Sequence, residues 1–197
     1  QYRMIEFIHE YERTKPRQHP VGMTGAPIAN AALLDSPADW IAPTGRDGYN
    51  ADPPPASGRK VIISDVDHVW PKQYRHWIWK SFTRGLNTAF MDLYGATRIG
   101  DKDATTFGFV GDWLAQHDTV RKNLGYTRTL AERINLAAMT PRGDLASSGY
   151  CLADPGREYV VYLPQDGEAT VDLSAVSGPV TVEWLDPRSG DTTRGQS

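Results

Sequence analysis

The chain has 197 residues, 40% of them hydrophobic and 23% charged, with a formal net charge of −3, which is one large domain or two small ones with enough residues for a proper core. Near-neutral charge without a Lys/Arg run leaves no electrostatic footprint for nucleic acid or an anionic membrane, and no apolar run approaches the roughly 20 residues of a membrane span. The single cysteine, Cys151, excludes an intrachain disulfide and a multi-cysteine metal site.

Taken in order, residues 1–14 are predicted as a helix, with Met4, Ile5, Ile8 and Tyr11 on one face and Glu6, Glu10, Glu12 and Arg13 outside it. No Ser, Thr, Asp or Asn precedes it as a cap, so a strand and loop are expected upstream of Gln1. Lys15-Pro16 ends the helical pattern. His19 to Thr24 is a short buried strand, Ala29 to Leu34 a short helix or turn, and Asp39 to Pro43 a second brief strand. Thr44 to Gly58, rich in Gly, Asp, Asn and Pro, is a long surface loop. Lys60 to Ser64 is the clearest strand, apolar and β-branched on both faces as buried parallel strands are. Lys72 to Arg84 is helical and closes on Gly85. Asn87 to Tyr94 is a further strand, and 112–135 a long helix.

Buried strands alternating with helices predict a parallel sheet, doubly wound or a (β/α)8 barrel. Beyond about Leu136 the texture changes. Segments 150–153, 159–163, 169–173 and 180–185 read as short strands separated by Asp154-Pro155-Gly156, Gln165-Asp166-Gly167 and Ser177-Gly178-Pro179 turns. This is the pattern of a small antiparallel β-sandwich beginning near residue 139. The polar stretch after Pro187 offers no further strand, so the β-domain is expected to continue past Ser197.

Chemistry is expected where the best strand ends, because ligands of parallel sheets bind at the strands' carboxyl ends. There Asp65, Asp67, His68 and Trp70 form the densest polar cluster in the chain. Either aspartate alone reads as a helix cap; two of them flanking Val66, ahead of a helix starting near Lys72, favour a site. Asp92 and Tyr94 form a second strand-end pair; Tyr49 and Asn50 in the long loop are available to a ligand, although Gly/Asn/Pro loops are usually just loops. Met23, Thr24, Trp77 and Trp79 read as core, and Cys151 as a buried inert thiol. His9, His76 and His117 receive no role.

Three chemistries suit the cluster. A strand-end carboxylate attacks an anomeric carbon or steadies its oxocarbenium-like transition state while a second carboxyl protonates the leaving oxygen. A D-x-D-x-V pattern, met by Asp65, Asp67 and Val69, is also the nucleophile motif of haloacid dehalogenase-like phosphatases, but the few elements that follow do not supply that fold's lysine and acidic pair. A divalent metal on Asp65, Asp67 and His68 is chemically available without supporting spacing elsewhere.

His19 to Thr24 (HPVGMT), Lys60 to His68 (KVIISDVDH) and Trp79 to Asp92 (WKSFTRGLNTAFMD) resemble the second half of TIM-barrel glycoside hydrolases of the cellulase superfamily, most nearly its apiosidase-like members. Glu158 to Pro164 and Val182 to Pro187 resemble the small collagen-binding-type β-domain that follows such barrels. The resemblance implies the C-terminal half of a (β/α)8 barrel over 1–138, incomplete, followed by an antiparallel β-sandwich over 139–197. It implies a retaining glycoside hydrolase acting on plant or microbial poly- or oligosaccharide. Asp65 or Asp67 would be the nucleophile, in a place where such families carry Glu, and the acid/base would lie upstream of Gln1. His68, Trp70, Asp92, Tyr94 and Tyr49 would contact the sugar. No cofactor or metal is implied, the partner is a carbohydrate rather than nucleic acid or membrane, and a secreted or periplasmic location follows from the resemblance alone. A polypeptide without the acid/base is not expected to turn over. The rival expectation is a non-catalytic carbohydrate- or matrix-binding protein on a degenerate barrel.

Overall fold

A computed structural model describes residues 1–25, 28–90 and 113–195. After helix α1 (Tyr2–Glu12), strand β1 (Gly22–Thr24), helix α2 (Asn30–Leu34) and strand β2 (Trp40–Ala42) lead to β3 (Val61–Asp65). A one-turn helix α3 (Val66–Val69), helix α4 (Tyr74–Thr83) and strand β4 (Asn87–Ala89) follow, then the long α5 (Trp113–Ala131). Strands β1 to β4 form one parallel sheet in sequence order. The remaining strands are β5 (Thr140–Pro141), β6 (Cys151–Asp154), β7 (Glu158–Val161), β8 (Glu183–Leu185) and β9 (Thr192–Arg194). They form two separate antiparallel sheets, β5-β6-β7 and β8-β9.

This corrects the expected half-barrel plus sandwich. The four parallel strands form an open row with β1 and β4 at its edges among the described residues, and the two antiparallel sheets hold three and two strands. Segment 169–173, expected as a strand, contributes only an isolated bridge from Val171 to Ala146. Polar Thr192 to Arg194, expected to be strandless, pairs with Glu183 to Leu185.

The register explains the sheet's two faces. Met23, Ile41 and Ile62 stand side by side and are buried in the main core with Leu33, Trp77 and Ile78. Side chains alternate along a strand, so Val61, Ile63 and Asp65 belong to the opposite face, where Val61 is 53% exposed. Helix α4 is the hub. Trp77 enters the main core and donates its indole N–H to the carbonyl of Tyr49 at 2.8 Å. Trp79, on the other side, donates to Asn123 Oδ1 at 2.8 Å and packs with Tyr150 and Tyr162. Buried aromatics carry large apolar areas and need a partner for their polar tip, and both tryptophans have one. The Tyr150 hydroxyl reaches Asp52 Oδ1 at 2.6 Å, and Tyr162 and His76 Nδ1 share a hydrogen bond of 2.7 Å, tying the three-stranded sheet to α4 and to the loop between β2 and β3.

Helix α1 buries only Ile5. Met4, Phe7 and Tyr11 are exposed, with Phe7 and Tyr11 stacked, so Met4 and Tyr11 lie outside the face assigned to them. The helix is held instead by polar ties: Tyr2 to the Ala32 carbonyl, His9 Nε2 to Asp39 Oδ2 at 2.8 Å, and Glu12 to His19. Among the described residues no helix is long and apolar enough to cross a membrane.

Candidate active site

Strand β3 ends at Asp65, paired across to Ala89 of β4. The chain turns at once into α3, whose four residues carry Asp67 and His68. Asp65 occupies the N-cap position of α3, yet its side chain makes no capping hydrogen bond. The ordinary structural reason for an aspartate here is therefore not used. Pro71 disfavours helical backbone at the residue before it, and Trp70 terminates α3 in the left-handed region at φ +52°.

One oxygen or nitrogen each of Asp65, Asp67 and His68 lie within 4.8 Å of one another. Buried atoms Asp65 Oδ1, Asp67 Oδ1 and His68 Nδ1 find no hydrogen-bond partner among the described residues; the nearest approach of His68 Nδ1 to Asp67 Oδ1 is 3.8 Å. Burial first, then the Asp65 charge, pushes the Asp67 carboxyl above the usual aspartate range, with His68 opposing the shift. Desolvation disfavours the ionised form, and two neighbouring carboxylates resist joint ionisation. The trio could hold a divalent metal through two carboxylate oxygens and one imidazole nitrogen, a mixed donor set suited to a first-row ion.

A cleft of about 330 Å³ opens beside this cluster. Its walls come from three strand ends: Gly25 and Ile28 after β1, Thr44 to Arg46 and Asn50 after β2, and His68 to Trp70 after β3. Asp65 and Asp67 are not in its walls; they adjoin His68 on the same turn. Gly45 lets the loop after β2 lie directly on α3. Its N–H donates to the His68 carbonyl at 3.1 Å, and a Cβ there would fall 2.1 Å from the Val69 oxygen. Trp70 is 48% exposed at the cleft's edge.

The sequence-assigned residues separate into three groups. Asp65, Asp67 and His68 cluster, and Trp70 borders the cleft beside His68. Tyr49 is 3% exposed and belongs to the main core, with burial raising its hydroxyl above the usual tyrosine range, and it is not in the cleft walls. Asp92 and Tyr94 lie outside the described residues. Cys151 is buried and burial pushes its thiol up to about 11, the environment of an inert cysteine.

Sequence reasoning missed Asn30. Buried at the start of α2, it donates through Nδ2 to the carbonyls of Thr44 and Arg46 and to Asp47 Oδ2. Its Oδ1 accepts from the Thr44 N–H at 2.9 Å and from the Thr44 hydroxyl. One amide thereby fixes the cleft wall after β2. No local pattern announces it, because its partners lie more than a dozen residues away; the only neighbouring cue is the Asp47-Gly48 turn pair. Compared with family models, curated proteins and solved structures, the chain matches none.

Proposed function

We propose that this cleft binds a carbohydrate and that the Asp65–Asp67 pair supplies the nucleophilic side of a retaining glycoside-hydrolysing site. The observation that carries the reading is a pair of carboxyls at the end of β3, Asp65 at the N-cap of α3 without a capping bond and Asp67 in the first turn of α3, adjoining a cleft edged by an exposed indole. The flat face of Trp70 offers a sugar ring an apolar stacking surface. Burial and the neighbouring Asp65 charge favour the protonated form of Asp67, and this reading takes Asp65, the last residue of β3, as the attacking carboxylate. Retaining enzymes flank the scissile bond with carboxyls about 5–5.5 Å apart. Asp65 and Asp67 adjoin one another at the junction of β3 and α3, so this reading takes the acid/base to be a third residue.

The chain as it stands can be tested with 2,4-dinitrophenyl glycosides, whose leaving group departs without protonation. Asp65 Oδ attacks C1, the C1–O bond breaks, and dinitrophenolate leaves with the electron pair; the glycosyl ester then awaits water. The expected result, across a panel of sugars, is up to one equivalent of dinitrophenolate per chain and a glycosyl mass on the peptide holding Asp65. Asp65→Asn abolishes both. Absence of burst and adduct for every sugar in the panel refutes the proposal.

The unpartnered Asp65, Asp67 and His68 atoms favour one second reading, a divalent-cation site. Calorimetric titration with Mn²⁺ and Zn²⁺ separates it: stoichiometric binding lost in Asp67→Asn supports a metal, and no heat for either ion refutes it.

A further inference from the structure

Resting on the carbohydrate reading above, we propose that the cleft selects acidic sugars, with Arg46 holding the carboxylate of a uronate whose ring lies against Trp70. Among the described residues the walls contain an arginine, an imidazole and an amide, and no aspartate or glutamate. The exposed Arg46 guanidinium makes no ion pair with any described carboxylate. The nearest candidate in sequence, Asp47, is engaged by Asn30 Nδ2 at 3.0 Å. A planar guanidinium binds a carboxylate through two parallel N–H···O bonds.

The wall that carries Arg46 is a built one. Buried Asn30 holds the Arg46 carbonyl and the Thr44 N–H and carbonyl. The two non-glycine residues with positive φ among the described residues are Asp47 at +54° and Trp70 at +52°. One adjoins Arg46 and the other is the indole at the cleft edge. Backbone strain persists where the surrounding structure enforces it, and it concentrates at ligand sites. A ring carboxylate projects from the edge of the sugar, so the indole can take the ring face while a group on the opposing wall takes the charge.

The test is calorimetric binding of tetrasaccharides containing glucuronate, galacturonate or mannuronate, each beside its carboxyl-reduced counterpart, with a sulfated neutral tetrasaccharide as a further arm. At least one uronate is expected to bind about tenfold or more tighter than its reduced form, the scale of one charge-assisted contact, and to weaken with added salt. Arg46→Gln brings that ratio to within about twofold, and Arg46→Lys, which keeps charge without the fork, restores part of it. Equal affinity for a uronate and its reduced form overturns acidic selection and leaves the carbohydrate reading standing. Binding of the sulfated sugar alone overturns the carboxylate assignment. No binding of any sugar, acidic or neutral, overturns both.

Discussion

Trp70 offers a test in which glycine and alanine exchange their usual order. At an ordinary backbone position Gly is less stable than Ala by about 0.4–1 kcal/mol, because its unfolded chain has more freedom to lose. Trp70 sits at φ +52°, where an L side chain costs about 1–2 kcal/mol and glycine nothing. Its ring is 48% exposed. Of the 150–250 Å² an aromatic side chain can bury, about half is therefore at stake, worth about 2–3 kcal/mol at ~25 cal/mol per Å². Both Trp70→Gly and Trp70→Ala lose that burial, but only Ala keeps the strain. We expect both variants to be less stable than the parent, with Trp70→Gly above Trp70→Ala by about 0.5–1 kcal/mol. Urea denaturation followed by far-UV circular dichroism measures this at equal m-value. If Ala equals or exceeds Gly, the left-handed conformation is not enforced in solution, and the strain argument for the cleft fails with it.

Replacing Asn30 with Ala removes its bonds to the 44–47 loop, two of which are 2.9 and 3.0 Å long; at about 1 kcal/mol each net, we expect a loss of about 2–3 kcal/mol by chemical denaturation. Amide exchange of Thr44 should accelerate in the same variant. Tyr150→Phe deletes the hydroxyl that meets Asp52 at 2.6 Å; a bond to a charged acceptor is worth about 1.5–3 kcal/mol. A double-mutant cycle with Asp52→Asn should show coupling, and strict additivity would exclude the contact. For Asp67, raised by burial and by Asp65, the folded chain binds more protons than the unfolded one as pH climbs above the ordinary value of 3.8. Stability therefore falls with rising pH through that window. Asp67→Asn should raise the melting temperature at neutral pH, with the gain vanishing below about pH 3.8; an unchanged or lowered value at pH 7 would contradict the burial of this carboxyl.

How much was legible in the sequence depends on how local each cause is. Lys60 to Ser64 was readable because a β-branched run followed by charged residues has few other uses, and β3 occupies Val61–Asp65. The cluster behind it was readable for the same reason: Asp65 to Trp70 is one contiguous segment. Met4 and Tyr11 were misplaced because a helical repeat gives the width of an apolar stripe without saying which stripe meets the core; here Ile5 does, and the Met4–Phe7–Tyr11 stripe does not. Strand β9 was hidden because Thr192 to Arg194 is polar throughout and pairs at an exposed edge, where alternation is not required. The barrel and sandwich expectations came from the order of strands, helices and turns together with a likeness of motifs, and both fix short segments. Closure depends on how strands pair across the whole sheet, which no single motif encodes.

The candidate site follows the same division. Its reactive groups are local, all delivered by a strand that stops, a single helical turn, and a proline that bars the turn from continuing. The opposing wall is non-local. It exists because Asn30, on a five-residue helix, captures a loop fourteen to seventeen residues downstream, and because Gly45 allows that loop to touch the back of α3. Neither residue is reactive, and neither carries a motif. Together they decide that Arg46 and Trp70 border one cleft. On the carbohydrate reading proposed above, a substitution at Asn30 should weaken sugar affinity in calorimetric titration as strongly as one in the cleft wall, although Asn30 itself is not in that wall.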